Sequence, residues 1–195
     1  KRQPFKAAPY RIHLKPGFKC VRLPEPRWKP AQREIMLKWA QAKLDQGEFE
    51  RVQGGAEWAS YVHMAPKHGP SGRLDGPDFM IRWCGAYIRV NDQIITTAVY
   101  SMRMLDIVEK HANSHFFNQF DLSDAYKLAV LDENSRDILA VWTPLGILRP
   151  TRLQYGMKNA GTVLGEYLRV ASSSLDDWTR NHTSNYVDDF IQGLD

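Results

Sequence analysis

Apolar residues recur every three or four positions in three stretches of the chain, which is the period of a helix with one buried face. The first stretch, residues 31–47, follows Pro30 and ends at Gly47, two residues that suit the first turn and the end of a helix. The second stretch covers residues 100–112, and the third follows Asn159, a candidate N-cap. The positions expected to face the core are Ile35, Met36, Trp39, Lys43 and Leu44 in the first helix, and Val163, Leu164, Tyr167, Leu168 and Ala171 in the third.

Aromatic and β-branched runs bounded by turn residues predict the strands. Residues 57–67 and 79–90 form two such runs around a loop rich in Gly and Pro, which predicts a hairpin with a long tip. Residues 137–156 contain two more runs, joined by a Pro-Leu-Gly turn. A strand over 116–121 leads into a turn and a short helix, and the run NYVDDFIQG at 185–193 predicts a second hairpin.

The beginning of the chain differs from the rest in both proline content and charge. Residues 1–30 contain six prolines, which prevent a long helix, so we expect an extended arm with an edge strand near residues 10–14. Residues 1–50 contain twelve Lys and Arg against five Asp and Glu, whereas residues 171–195 contain one Arg against five Asp. A basic beginning suits a phosphate backbone and an acidic end suits metal ions, although a solvated charged surface gives the same balance.

Composition excludes several classes of protein. The two cysteines, Cys20 and Cys84, are far apart and form no CxxC pair, which argues against a structural zinc site and a disulfide framework. The hydrophobic share of 43% and the charged share of 25% are those of an ordinary globular domain. No apolar stretch approaches the roughly 20 residues needed to cross a bilayer. We therefore expect a protein without membrane segments in a reducing intracellular compartment.

Three acids stand at the ends of predicted strands. Asp121 follows an aromatic strand, and Asp188 and Asp189 lie in the middle of the second hairpin, although Asp is depleted in strands. If the two strands are neighbours, about 4.8 Å apart, the three carboxylates face one pocket. Clustered carboxylates repel one another unless a cation lies among them, and hard oxygen ligands suit Mg²⁺. The simpler alternative is an ordinary hairpin turn at the two adjacent acids, because Asp is a favoured turn residue.

The acid-bearing segments resemble motifs of one enzyme family. YVDD at 186–189 resembles the catalytic signature of reverse transcriptases. FDLSDAYKLAVLDENSRDILAVWTPLG resembles the first palm motif and the segment after it, and RLQYGMKNAG resembles the next motif. Upstream, WASYVHMAPK and IRWCGAYIRVN resemble the paired finger strands, and the Pro-rich arm resembles the leading segment of the same group. The motifs occur in the expected order, so the chain is similar to reverse transcriptases of retroviruses and of LTR retrotransposons, especially the gypsy-like ones.

The resemblance implies an α+β fold, the fingers and part of the palm of a right-hand polymerase. The palm would have a small antiparallel sheet backed by helices, and the thumb would be absent. Residues 1–30 would be an extended basic, Pro-rich arm, residues 31–115 the fingers with a helix and a β-hairpin, and residues 116–195 a partial palm. Residues 132–154 are a candidate to return to the fingers.

The resemblance also implies roles for individual residues. Asp121, Asp188 and Asp189 would be the catalytic and metal-binding acids, holding two Mg²⁺ ions that Mn²⁺ could replace. Tyr126 would lie under the incoming sugar and exclude a 2′-hydroxyl. The other nucleotide-binding positions would be Asp124 and Ala125 through nearby backbone amides, Arg82 and Lys67 from the fingers, Tyr155 and Gly156 beside the nascent base pair, and Lys158 near the nucleic acid.

Several of these positions have simpler explanations or depart from the family pattern. Tyr126 would also suit a core position, and Arg82 would suit the surface of a strand. Ala86 and Ile88 stand where the family usually has an acid and an Arg. A finger salt bridge or a template contact is therefore in doubt.

The implied activity is RNA-directed DNA polymerisation. The enzyme would extend a primer 3′-hydroxyl on an RNA or DNA template with dNTPs by two-metal phosphoryl transfer, as part of a longer polyprotein or a larger assembly. The alternative is an inactive structural or RNA-binding subunit derived from a retroelement. The presence of all three acids favours the polymerase, because a scaffold gains nothing from carboxylates that repel one another.

Overall fold

The computed structural model describes residues 4–67, 80–98 and 103–194 of the chain. Within them the helices are α1 (Pro30–Gln46), α2 (Ile88–Asn91), α3 (Met104–Lys110), α4 (Glu133–Arg136), α5 (Ala160–Ser172) and α6 (Asp177–His182). The strands are β1 (Phe49–Arg51), β2 (Val62–Lys67), β3 (Met80–Gly85), β4 (Phe116–Asp121), β5 (Val141–Thr143), β6 (Gly146–Pro150), β7 (Thr183–Tyr186) and β8 (Asp189–Leu194). Two 3₁₀ helices cover Ala125–Leu128 and Asp137–Leu139.

The strands form three antiparallel sheets. One sheet has the order β1-β6-β5, one is the β2-β3 hairpin, and one has the order β4-β8-β7. In the third sheet Phe116 pairs with Leu194 at one end and Asp121 with Asp189 at the other. The predicted α+β class is therefore confirmed, and strand 116–121 does lie beside the second hairpin, which was the condition for bringing the three acids together.

The main core lies between α1, the β1-β6-β5 sheet and α5. Its largest fully buried side chains include Tyr87, Ile94, Leu131, Leu139 and Leu148. A second, smaller cluster joins Ala125, Leu164 and Leu168 and packs against Leu122 and Phe190, so it fixes the 3₁₀ helix after β4 against α5 and β8.

The arm is anchored to the core without forming the predicted edge strand. Tyr10 makes a parallel bridge to Leu131, whereas Leu14 makes an antiparallel bridge to Ile94. Because these two partners belong to different segments, no continuous ladder forms between residues 10 and 14. Ile12 between them is buried, and its amide donates a hydrogen bond of 2.8 Å to Ser135 Oγ.

The predicted helix 31–47 is confirmed, but its buried face differs by one position. Gly47 ends α1 in the left-handed conformation, with φ 70°, as expected for a C-terminal glycine. Met36 and Ala40 are buried, whereas Ile35, predicted to face the core, is 42% exposed. In α5 the predicted inner face is correct except for Ala171, which is exposed because the last turn extends past the core.

The two predicted strands of the first hairpin are shorter than expected. Within the 57–67 run, regular pairing with β3 starts only at Val62. The preceding residues Ala59 and Ser60 instead form single β-bridges with other segments of the chain. The 79–90 run ends at Gly85, and residues 88–91 are helical. The reason is Tyr87, whose ring lies against Gly85 and whose hydroxyl donates a hydrogen bond of 3.0 Å to Leu139 O in the core.

Two predictions reach beyond the described residues. The loop between the strands of the first hairpin falls outside them, as do residues 100–102 of the predicted helix 100–112, whose described part contains α3. None of the helices in the described part of the chain is long and apolar enough to cross a lipid bilayer.

Candidate active site at the end of the β4-β8-β7 sheet

The three acids singled out by the sequence lie at one end of one sheet. Asp121 ends β4 and Asp189 begins β8, and the two residues are direct cross-strand partners. Side chains at paired positions project from the same face, with Cβ atoms about 5 Å apart. Asp188 precedes Asp189, and its backbone oxygen accepts a hydrogen bond of 3.0 Å from the amide of Leu122, directly after Asp121.

A tight turn fixes the backbone at Asp188. Tyr186 pairs with Asp189, so Val187 and Asp188 form a two-residue loop between β7 and β8. Val187 has φ 57°, a left-handed conformation that is a genuine outlier for a β-branched residue. Such backbone strain persists only where the surrounding structure imposes it, and it is found preferentially at functional sites.

Carboxylates are suitable ligands for a divalent cation, but the side chains of these three acids are not arranged as a complete cation site. Asp121 and Asp189 are exposed and Asp188 is half-buried. Across residues 4–67, 80–98 and 103–194, the three carboxylates accept no hydrogen bond and form no ion pair. In the same ranges, no three His, Cys, Asp or Glu side chains are close enough together to hold a metal ion. The backbone therefore brings the acids to one edge without gathering their side chains into a complete ligand set.

Two tyrosines lie next to the acids. The rings of Tyr126 and Tyr155 meet edge to face, with centroids 4.8 Å apart. Burial, and secondarily the charge of Asp188, raises the pKa of the Tyr126 hydroxyl. Burial, together with Asp124 and Asp188, raises the pKa of Tyr155 to about 12, although Arg82 acts in the opposite direction. Both hydroxyls therefore stay protonated at neutral pH and can donate hydrogen bonds.

The turn after β4 adopts an unusual conformation at its centre. Asp124 has φ 54° and ψ 41°, and its Oδ2 accepts a hydrogen bond of 3.0 Å from Lys127 Nζ. Ala125 is fully buried, and its amide donates a hydrogen bond of 3.1 Å to Leu122 O. This amide, one of those predicted to contact phosphate, is therefore already used within the turn.

Two residues predicted to bind phosphate lie on the β2-β3 hairpin. Arg82 is exposed, and its guanidinium carbon is 5.9 Å from the centre of the Tyr155 ring. Lys67 pairs with Met80 at the end of the hairpin, and its side chain is outside the described structure.

Two other predicted residues are held by the segment around α2. Gly156 has φ 91°, which favours glycine, and its oxygen accepts a hydrogen bond of 2.8 Å from Asn91 Nδ2. Lys158 donates through its amide to Asn91 Oδ1 at 2.9 Å, and its Nζ lies 3.5 Å from Ile94 O. The structure therefore holds Lys158 against the end of α2 and the residues that follow it.

A cavity of about 370 Å³ joins part of the predicted set. Arg82, Asp124 and Tyr155 line it, whereas the three acids do not. Its wall also contains three charged residues that were not predicted to belong to the site, namely Lys43, Glu48 and Lys127. Lys127 was detectable as a cation three positions after Asp124. The helical period placed Lys43 on the inward face of the first helix, but no pattern connected Lys43 or Glu48 to this site.

Comparison with known proteins gives relatives in sequence and in structure. No family model matches the chain. The chain is 29% identical, over 105 residues or 54% of its length, to the retrovirus-related Pol polyprotein from transposon 412 of Drosophila melanogaster. It spans 8% of that polyprotein.

Solved structures match nearly all of the chain. The protease-reverse transcriptase of prototype foamy virus has a TM-score of 0.76 at 18% identity, covering 98% of this chain and 24% of the viral chain. The foamy viral protease-reverse transcriptase in complex with an RNA/DNA hybrid has a TM-score of 0.74 at 15% identity, with the same coverage. These matches show the fold, and together with the sequence match they confirm the resemblance to reverse transcriptases of retroelements and retroviruses.

Proposed function

We propose that the chain is the fingers and part of the palm of a reverse transcriptase. It would extend a primer 3′-hydroxyl with dNTPs on an RNA or DNA template. The observation that carries this proposal is the register that pairs Asp121 with Asp189, next to the strained turn at Asp188. The proposal is also supported by the relative described as a retrovirus-related Pol polyprotein and by the viral neighbours of the same fold.

The acids would act together on the primer end and the triphosphate. Asp121, Asp188 and Asp189 would hold two Mg²⁺ ions, or Mn²⁺ in their place. When bound, the ions would lower the pKa of the attacking 3′-hydroxyl and neutralise the leaving pyrophosphate. Mg²⁺ commonly takes only one or two carboxylates and completes its shell with water and substrate phosphates. An incomplete set of protein ligands is therefore compatible with this role.

The two tyrosines would select and seat the nucleotide. Tyr126 would lie under the sugar, where its ring leaves no space for a 2′-hydroxyl. The edge-to-face contact with Tyr155 restrains the Tyr126 ring, since such pairs have a preferred geometry. Tyr155 and the adjacent Gly156 would lie beside the nascent base pair.

The remaining residues would bind phosphates and nucleic acid. Arg82 and Lys67 would reach the triphosphate from the hairpin, opposite the backbone near Asp124 and Ala125. Lys158 would lie near the template-primer. In this proposal residues 1–30 are the arm, 31–115 the fingers and 116–195 the palm, with 132–154 as a segment that could return to the fingers. The chain corresponds to a small part of its relatives, so the rest of a longer polyprotein or a larger assembly would complete the enzyme.

Primer extension with Mg²⁺ and dNTPs, using the full-length gene product, tests the proposal. We expect incorporation by the wild type and its loss in Asp188→Asn. The matched control is Asp177→Asn, which removes an exposed acid of α6 paired with Arg180 at 3.1 Å. Equal incorporation by the wild type and Asp188→Asn would contradict the proposed role of the acids.

A second candidate is an inactive structural or RNA-binding subunit of a larger complex. It is favoured by the lack of a gathered metal-ligand set in the described residues and by the exposed Phe116, Phe117 and Phe120 on β4. The same assay separates the two candidates. Wild-type protein that associates stably in a complex but incorporates no dNTP supports the subunit.

A further inference from the structure

Four side chains of alternating charge connect the end of α1 to the turn after β4. Lys43 Nζ, in the last turn of α1, donates a hydrogen bond of 2.7 Å to Glu48 Oε2. The same carboxylate oxygen lies 3.6 Å from Lys127 Nζ. Lys127 Nζ in turn donates a hydrogen bond of 3.0 Å to Asp124 Oδ2. We call these four residues the charge chain.

Three of the four members of the charge chain are largely withdrawn from water, which distinguishes them from ordinary surface ion pairs, whereas the side chain of Asp124 is 40% exposed. The side chains of Lys43, Glu48 and Lys127 are 15%, 21% and 21% exposed. Exposed pairs contribute little because solvent screens them, whereas partly desolvated charges depend more strongly on their partners. Burial, and secondarily Lys127, lowers the pKa of Lys43 while Glu48 opposes this shift. The carboxylate of Glu48 therefore contacts the ammonium groups of both Lys43 and Lys127 and offsets the repulsion between them.

The far end of the charge chain holds a backbone conformation that needs support. Asp124 lies in the left-handed region, which non-glycine residues adopt at a cost. Lys127 secures it twice, through its side chain at Oδ2 and through its amide, which donates a hydrogen bond of 2.9 Å to Asp124 O. The next residues along the chain are Ala125, which is buried, and Tyr126, which contacts Tyr155. A shift at Asp124 would therefore be transmitted to Tyr126.

The charge chain also forms one wall of the cavity described above. Its four members line that cavity together with Arg82 and Tyr155. The carboxylate of Asp124 and the guanidinium of Arg82 both act on the Tyr155 hydroxyl, in opposite directions. A substitution of Glu48 is therefore expected to affect the turn at Asp124 and, through it, the contact between Tyr126 and Tyr155.

We propose that Glu48 and Lys127 are positioning residues that set the nucleotide affinity of the enzyme by fixing the Asp124–Tyr126 turn. This inference rests on the proposed function. Neither residue touches the three acids, so both act on substrate binding through Asp124. Helix α1 takes part through Lys43, which donates a hydrogen bond to Glu48, although α1 carries none of the predicted substrate-binding residues.

The test compares matched substitutions in the full-length gene product. Glu48→Gln and Lys127→Met interrupt the charge chain, and Lys127→Arg keeps the cation. Glu34→Gln is the control, because Glu34 pairs with Lys38 at 2.8 Å on the exposed side of α1, with side chains 68% and 76% exposed. The measurements are KM and kcat for dNTP incorporation, together with the equilibrium dissociation constant of a dNTP, at a temperature where circular dichroism shows all variants folded.

We expect KM and the dissociation constant to rise about tenfold in Glu48→Gln and Lys127→Met, with a smaller change in kcat. Glu34→Gln and Lys127→Arg should stay near the wild type. The inference would be overturned if Glu48→Gln and Lys127→Met incorporated dNTPs with unchanged KM, or if KM rose equally in Glu34→Gln. Either result would leave the proposed function intact. Wild type that binds dNTPs without incorporating them would contradict the proposed function, and the dissociation constants would still decide the inference. Wild-type protein that neither binds nor incorporates dNTPs would overturn both the inference and the proposed function.

Discussion

Two three-stranded antiparallel sheets in this chain have opposite relations to solvent. In the β1-β6-β5 sheet, Phe49, Val141, Thr143 and Leu148 are buried at 5% exposure or less. In the β4-β8-β7 sheet, every residue of β4 is exposed, although three of them are phenylalanines. The sheet that carries the acids therefore contributes little to the core, and the sheet that builds the core carries no candidate catalytic group. Stability and the proposed chemistry are thus located in different parts of the molecule.

The largest difference should appear when one large side chain is truncated in each sheet. Leu148→Ala removes a fully buried side chain, and we expect the free energy of unfolding to fall by about 2–5 kcal/mol. Phe117→Ala removes a ring that is 52% exposed, and we expect a loss below about 1 kcal/mol. Urea unfolding followed by circular dichroism measures both. Equal losses would show that β4 is packed more tightly than its exposure indicates.

A tightly packed position in the acid-bearing sheet gives the next largest effect. A Cβ at Gly193 in β8 would collide with Ser114 Oγ and His111 Nδ1. We expect Gly193→Ala to lower the free energy of unfolding by about 1–3 kcal/mol through overpacking. Gly165→Ala in α5 is the control, because no atom lies within 4 Å of the added Cβ, and it should stabilise the protein by about 0.5–1 kcal/mol. A neutral Gly193→Ala would contradict this packing.

A smaller effect is expected from the strained turn beside the acids. Asn tolerates the left-handed region that Val187 occupies, so Val187→Asn should raise the free energy of unfolding by about 0.5–1 kcal/mol. Val187→Ala retains most of the strain and should not stabilise the protein. Chemical denaturation of both variants measures the difference. If Val187→Ala stabilises as much as Val187→Asn, the strain has another origin.

The smallest effect concerns pH and a histidine under the same sheet. His111 is buried, and burial, followed by the charges of Lys110 and His182, lowers its pKa below the usual value. In the pH range between this lowered pKa and about 6.5 the unfolded chain binds the proton more readily, so stability falls as pH decreases through about 6.5. Thermal melts between pH 7.5 and 5 should show this loss, reduced in His111→Gln. His115→Gln removes an exposed histidine nearby and serves as the control. An identical pH slope in His111→Gln and the wild type would contradict this assignment.

The sequence predicted those features that depend on local pattern. The helix stop at Gly47 follows from the conformation of a single residue. The predicted inner face of α5 is correct up to Ala171, where the helix extends beyond the core. In each of these cases neighbouring residues carry the information.

Features that depend on distant partners were not predictable. β3 ends at Gly85 because the Tyr87 hydroxyl donates a hydrogen bond to the backbone oxygen of Leu139, 52 residues further along the chain. Glu48 belongs to the cavity wall because it lies 3.6 Å from Lys127, a residue in another part of the sequence. No periodicity or turn signal encodes such contacts. The predicted roles of the site residues stay predictions until they are measured.

We propose that Asp121 and Asp188 act as one unit at the end of the sheet. The most direct test is the rate of dNTP incorporation by wild type, Asp121→Asn, Asp188→Asn and the double variant. Residues that act as a unit have strongly non-additive effects. We predict that each single substitution lowers the rate at least about 1000-fold, or about 4 kcal/mol, and that the double variant loses no more than either single one. Wild-type rates in either single variant, or losses that multiply in the double variant, would contradict the account.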